Sequence, residues 1–185
     1  HLFTNNTGDG ASNRYFPLAI DSISNLSNAA CVDEGECDEL EEVQITVLAD
    51  DDGGIETVVG IDTRVVEEQE WEGGELVEVS RNFFAECRES GDVFYFGEDV
   101  LVANDEGDLV EAEDQWRAGD DARPGIIMPG GTFMLGARYF QEYAPEVALD
   151  RGENVEMGIS FTGSYDFYDF ENCVQVNDTN ALEDP

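Results

Sequence analysis

GDVFYFGEDV, residues 91–100, is the stretch on which the reading of the fold turns. Successive side chains of a strand point to opposite faces of its sheet. Val93 and Tyr95 therefore face one way, and Phe94 and Phe96 the other. Apolar side chains on both faces mark a central strand covered from both sides. Glu98 and Asp99 fall at its end. Paired carboxylates perform general acid–base chemistry where burial drives their pKa values apart. Here acids are everywhere: 44 Asp and Glu stand against 8 basic residues, all of them Arg. Adjacent carboxylates alone are therefore no sign of catalysis.

The two-residue period continues on either side. VQITVLA (43–49) alternates and meets the turn ADDDGG. IETVVGIDTRVVEEQEW (55–71) alternates over a long run, EGG (72–74) turns the chain, and ELVEVSRNFFAEC (75–87) returns. After residue 100 a hairpin is expected around NDEGD (104–108). PGIIMPGG (124–131) reads as a rigid extended segment lying over the core or a partner. A strand is expected within 132–144, with MLGARYF as its core, and two or three more beyond residue 152. Val, Ile, Phe, Tyr and Thr concentrate in these segments, as strands prefer. No window carries a helical stripe over several turns. The pattern predicts an all-β chain: a single antiparallel β-sandwich or partly open β-barrel with long loops. Residues 1–14 read as an extended N-terminal arm, and 15–185 as a single β domain with a disulfide-bearing insertion at 21–42.

With 185 residues and 41% apolar content the chain is long and apolar enough for one folded domain. Its formal net charge of -36 repels nucleic acid and anionic membranes, and attracts cations and basic partners. Salt screens the self-repulsion, which fits a saline setting or a secreted acidic protein. No apolar run reaches the length of a membrane span, so no transmembrane segment is expected in this chain.

Cys31, Cys37, Cys87 and Cys173 form no CxxC pair, and the one histidine is His1. Disulfides are therefore expected rather than zinc, which argues for an extracytoplasmic compartment: secreted, periplasmic or anchored at the cell surface. Of the three possible pairings, Cys31–Cys37 with Cys87–Cys173 is favoured. An N-terminal histidine can hold copper, but the second histidine that such a site needs is missing. A Ser or Cys nucleophile likewise lacks a histidine base, and GxSxG, HExxH and phosphate-loop motifs are absent. No catalytic residue is assigned. Calcium is the cofactor with candidate ligands, since two acidic turns place oxygens close together: Asp50, Asp51 and Asp52 in one, Asn104, Asp105 and Asp108 in the other. Neither has EF-hand spacing. Asn5, Asn25 and Asn177 stand in N-glycosylation sequons.

The order YFPL (15–18), EGGELVEVSRNFFAEC (72–87), DVFYFGEDV (92–100), DDARPGIIMPG (120–130), YFQEYAPEVALDRGE (139–153) and NCVQVNDTNALE (172–183) resembles a widespread group of uncharacterised bacterial secreted proteins and lipoproteins. The resemblance spans about residues 13–184 and is most specific between Asp92 and Arg151. The insertion at 21–42 lies outside it. It implies an envelope or extracellular β domain without a known reaction. Members of the group continue into a closing hairpin after this point, so an open sheet edge that pairs with another chain is expected. The expected function is a non-catalytic structural or accessory protein that associates with other protein subunits in an envelope or surface assembly. The alternative is a secreted protein that binds calcium or a small ligand.

Overall fold

The computed structural model describes residues 2–5, 13–113, 115–162, 169–180 and 182, with residues 161, 162 and 169 described by their backbone alone. The described residues form a large antiparallel sheet and a smaller three-stranded one, with no closed barrel. In chain order the strands are β1 (Phe3–Thr4), β2 (Ile23–Ser27), β3 (Glu41–Val47), β4 (Ile55–Val58), β5 (Ile61–Glu72), β6 (Glu75–Cys87), β7 (Val93–Ala103), β8 (Leu109–Glu111), β9 (Trp116–Arg117), β10 (Arg123–Met128), β11 (Arg138–Phe140), β12 (Glu142–Tyr143), β13 (Asp150–Thr162) and β14 (Asp169–Asn180). A short α-helix, α1 (Ala29–Glu34), follows β2, and a single 3-10 turn spans Asp50–Asp52. The all-β, sandwich-like class expected from the sequence is the one observed.

The large sheet runs β12-β10-β7-β6-β5-β3-β2, and β7 is indeed interior. Its outer edge is shared by three short strands in succession, β10, β9 and β8. The edge of β5 is shared by β3 and β4, which run the same way and are interrupted by residues 48–54. Turn chemistry fits the register. Gly73 and Gly74 both have positive φ, 56° and 88°, as the two-residue hairpin between β5 and β6 requires. Phe83, Phe96 and Val65 fill one side of the sheet, where Phe3 packs edge-on against Phe94 and Phe96. Phe84 and Tyr95 stack on the other side. The smaller sheet, β11-β13-β14, is built on the long β13–β14 hairpin.

Two described parts of the N-terminal arm are fixed in place. β1 pairs with the end of β6, and the Asn13 side chain, 2% exposed, donates to the carbonyls of Gly91, Met128 and Pro129. Within 21–42, β2 is a strand of the large sheet. Three expectations change. PGIIMP enters the sheet as β10, hydrogen-bonded to β7, instead of lying over it. Met134 and Leu135 are exposed, and Gly136, with φ 78°, turns the chain, so the strand begins only at Arg138. Finally, Cys31–Cys37 is bridged, but Cys87 and Cys173 are free. Cys87 ends β6 opposite Phe3 in the large sheet, whereas Cys173 opposes Ile159 in the smaller one. Alternation and position near strand ends did not reveal that the two strands belong to different sheets.

Candidate functional site

A bulge in β7 creates the site. Asn82 opposes Glu98 and Phe84 opposes Tyr95, so the β6–β7 register slips by one residue between them. The extra residue turns Glu98 onto the face of Tyr95, where simple alternation would send it away. Gly97, with φ 113°, sits in this bulge, and a Cβ there would lie 2.2 Å from the Trp116 carbonyl oxygen. Glu98 and Asp99, being adjacent in the strand, point to opposite faces of the sheet. Asp99 pairs with Arg117, which also binds Glu56 and lies over Phe83 on the opposite face.

Glu98 enters a cleft of about 520 Å³. Val47, Val66, Asn82 and Glu98 occupy one row across β3, β5, β6 and β7, with Ile45 and Glu68 in the next row. All six line the cleft, together with Phe16, Leu18, Phe84, Tyr95, Ile127 and Glu142. The segment 15–18 (YFPL) forms one wall. It is held because Asn13 Oδ1 accepts hydrogen bonds from the backbone N–H groups of Tyr15 and Phe16. Phe16 then packs edge-on against Phe84.

The polar groups of the cleft are ordered. The Tyr95 hydroxyl donates to Asn82 Oδ1 at 2.6 Å, and Asn82 Nδ2 donates to Ser80 Oγ at 3.1 Å. Trp116 stands edge-on to Tyr95 and donates its indole N–H to Glu142 Oε2 at 2.7 Å. Burial and the surrounding charge of Glu98, Glu142 and Glu68 hold the Tyr95 phenol well above its ordinary pKa. Burial pushes the Glu142 carboxyl up to about 7, against the pull of the Trp116 hydrogen bond and with the help of Asp150 and Glu98. Glu68 is raised by burial and then by Glu70. Carboxylates crowded in a partly dry, aromatic-floored cleft are under-solvated, and a cation entering it relieves that condition.

The two acidic turns do something else. Residues 48–54 wrap the guanidinium of Arg64, which is 1% exposed. Its Nη1 donates to the carbonyls of Leu48 and Gly54 and to Asp50 Oδ1, and its Nε donates to the Asn5 carbonyl. This loop binds a cation, but the cation is part of the chain. In the second turn Asn104 Oδ1 accepts from the backbone N–H groups of Glu106 and Asp108, the usual self-bonding of an Asn turn. Among the described residues no three His, Cys, Asp or Glu side chains converge to hold a metal ion. Asp50, Asp51 and Asp52 lie in one short turn, where Asp50 is paired with Arg64, and Asn104, Asp105 and Asp108 lie in another. His1 lies outside the described residues.

Sequence reasoning singled out Glu98 but missed Glu68, Glu142, Asn82, Tyr95 as a cleft residue, and Arg64 as the occupant of the DDDGG loop. Among the described residues no helix is long and apolar enough to cross a membrane. No protein-family model, curated protein or solved structure matches the chain.

Proposed function

We propose that the chain is a non-catalytic, extracytoplasmic accessory module of a protein assembly, and that its acidic cleft receives a basic side chain of a partner protein. The observation that carries this reading is the set of three glutamates, Glu68, Glu98 and Glu142, over the aromatic floor of Phe84 and Tyr95. An arginine or lysine offers the matching shape, with an apolar stem and a charged head. A guanidinium also stacks on aromatic faces. The Cys31–Cys37 bridge supports an oxidising compartment. The net charge of -36 favours encounter with a basic surface.

A calorimetric titration with a short arginine-containing peptide in high-salt buffer tests the reading. Each charge-assisted contact contributes roughly 1.5–3 kcal/mol, so Glu98→Gln should weaken binding about tenfold or more. The double variant Asp51→Asn, Asp52→Asn removes two exposed charges that do not line the cleft and should leave affinity nearly unchanged. Equal loss in both variants would reduce the interaction to general electrostatic attraction and sink the proposal.

A further inference from the structure

The large sheet ends at β2, which has β3 as its one neighbour in the sheet. All five of its residues are exposed, including Ile23 at 57% and Leu26 at 56%. Natural sheet edges are normally protected by charge, proline or a bulge, because an unpaired edge invites another strand. Here none of these is present. The β2–β3 register is uninterrupted from Ile23↔Thr46 to Ser27↔Glu42. ISNLS contains neither charge nor proline, and residues 22–32 (SISNLSNAACV) contain no ionisable acid or base apart from the bridged Cys31. Among the described residues, every other strand longer than two residues carries at least one charge. In a chain with 44 acids, this gap falls on the open edge.

The orientation of that edge follows from its two ends. Val47 donates to the Ser22 carbonyl, and Asn28 donates to the Glu41 carbonyl. Antiparallel pairs alternate between bonded and non-bonded, so Ser22, Ser24 and Leu26 bond inward to β3. Ile23, Asn25 and Ser27 direct their N–H and C=O groups outward. A second β2 laid antiparallel, with Asn25 opposite Asn25 and Ile23 opposite Ser27, satisfies all three outward residues on both copies through about six hydrogen bonds.

We propose that β2 pairs with β2 of a second copy of this chain, continuing the large sheet across a two-fold axis. The charge pattern selects the occupant: the edge brings no carboxylate of its own against its copy, where a chain of this net charge otherwise repels itself. Such a contact is isologous and closes after two copies. Ser22 and Ser24 line the cleft, so Leu26 lies on that same face and the two clefts share one side of the joined sheet. The proposal is independent of what the clefts bind.

Light scattering on the full chain, from low to high salt, provides the test. Screening should let the mass double at high salt, where the Debye length falls to roughly 3 Å. Asn25→Pro removes one outward N–H, and Leu26→Asp places a charge beside its symmetry partner. Both should restore the monomer mass at high salt. If Asn25→Pro fails to fold, Leu26→Asp decides alone, because the side chain it replaces is exposed. Hydrogen exchange adds a local readout: the amides of Ile23, Asn25 and Ser27 should be protected in the wild type at high salt and exchange freely in Leu26→Asp. A wild type that stays monomeric at every salt concentration would overturn the proposal. So would a dimer that survives Leu26→Asp, or a glycan on Asn25 in the native protein.

Discussion

Replacing Gly97 by alanine attacks the bulge and the cleft together. Two costs add. The first is conformational, because φ 113° is a backbone region that residues with a Cβ avoid, at roughly 1–3 kcal/mol. The second is collision. The new Cβ would lie 2.2 Å from the Trp116 carbonyl oxygen and 2.7 Å from the Arg117 Cα, both backbone atoms of β9. β9 must retreat, which weakens its pairing with β7 and moves Trp116 away from Tyr95 and Glu142. Lost hydrogen bonds and aromatic contact contribute about another 2–3 kcal/mol. The sum of roughly 3–6 kcal/mol corresponds to a fall in Tm of about 6–24 °C for a chain of this size. Thermal unfolding followed by near-ultraviolet circular dichroism measures it at fixed high salt. Gly107→Ala is the control: its φ is 82°, and no atom lies within 4 Å of the added Cβ. It should lose only about 1–2 kcal/mol. If Gly97→Ala loses no more than Gly107→Ala, β9 does not crowd the bulge and the account of the cleft is wrong.

Arg64→Met should destabilise by roughly 1–3 kcal/mol, since it leaves the Leu48 carbonyl without its donor, while the Gly54 carbonyl keeps the Val65 N–H and Asp50 is exposed; chemical denaturation checks this, and a loss below about 0.5 kcal/mol would refute the plug role. Glu142 gives a pH dependence of defined sign. Its folded carboxyl titrates near 7 against an ordinary 4.5, so the folded state holds the proton more tightly. Its contribution to stability should be undiminished below about 4.5 and lost as pH rises through about 7. Glu142→Gln, which can still accept from Trp116, should flatten that slope in Tm measured against pH. Reducing Cys31–Cys37 should cost about 2 kcal/mol by the loop-entropy argument, seen as a drop of several degrees in Tm. Thiol titration of the unreduced protein should find two free thiols after denaturation, with buried Cys87 unreactive until then; finding none would restore the Cys87–Cys173 bridge.

By itself the sequence determined the class and much of the local structure. Two-residue alternation, β-branched residues and Gly-containing turns made the long strands at 75–87 and 93–103 legible, because these signals act between near neighbours; the run 55–71 read as one strand, although a turn at Val59–Gly60 folds it into the hairpin β4–β5. The central place of VFYFGEDV followed from aromatics on both of its faces. The short bridge Cys31–Cys37 was legible for the same local reason. Tertiary structure decided everything that depends on which distant strands meet. The bulge at Gly97 overrides alternation and moves Glu98 to the face of Tyr95, which period counting does not show. Glu68 and Glu142 gain meaning only when β5 and β12 bring them to one cleft. The acids at 50–52 turned out to lie around Arg64, because a buried guanidinium requires oxygen partners and the loop 48–54 supplies them. Local patterns place side chains on strands. Pairing and burial decide which of those side chains share a site and what each one faces.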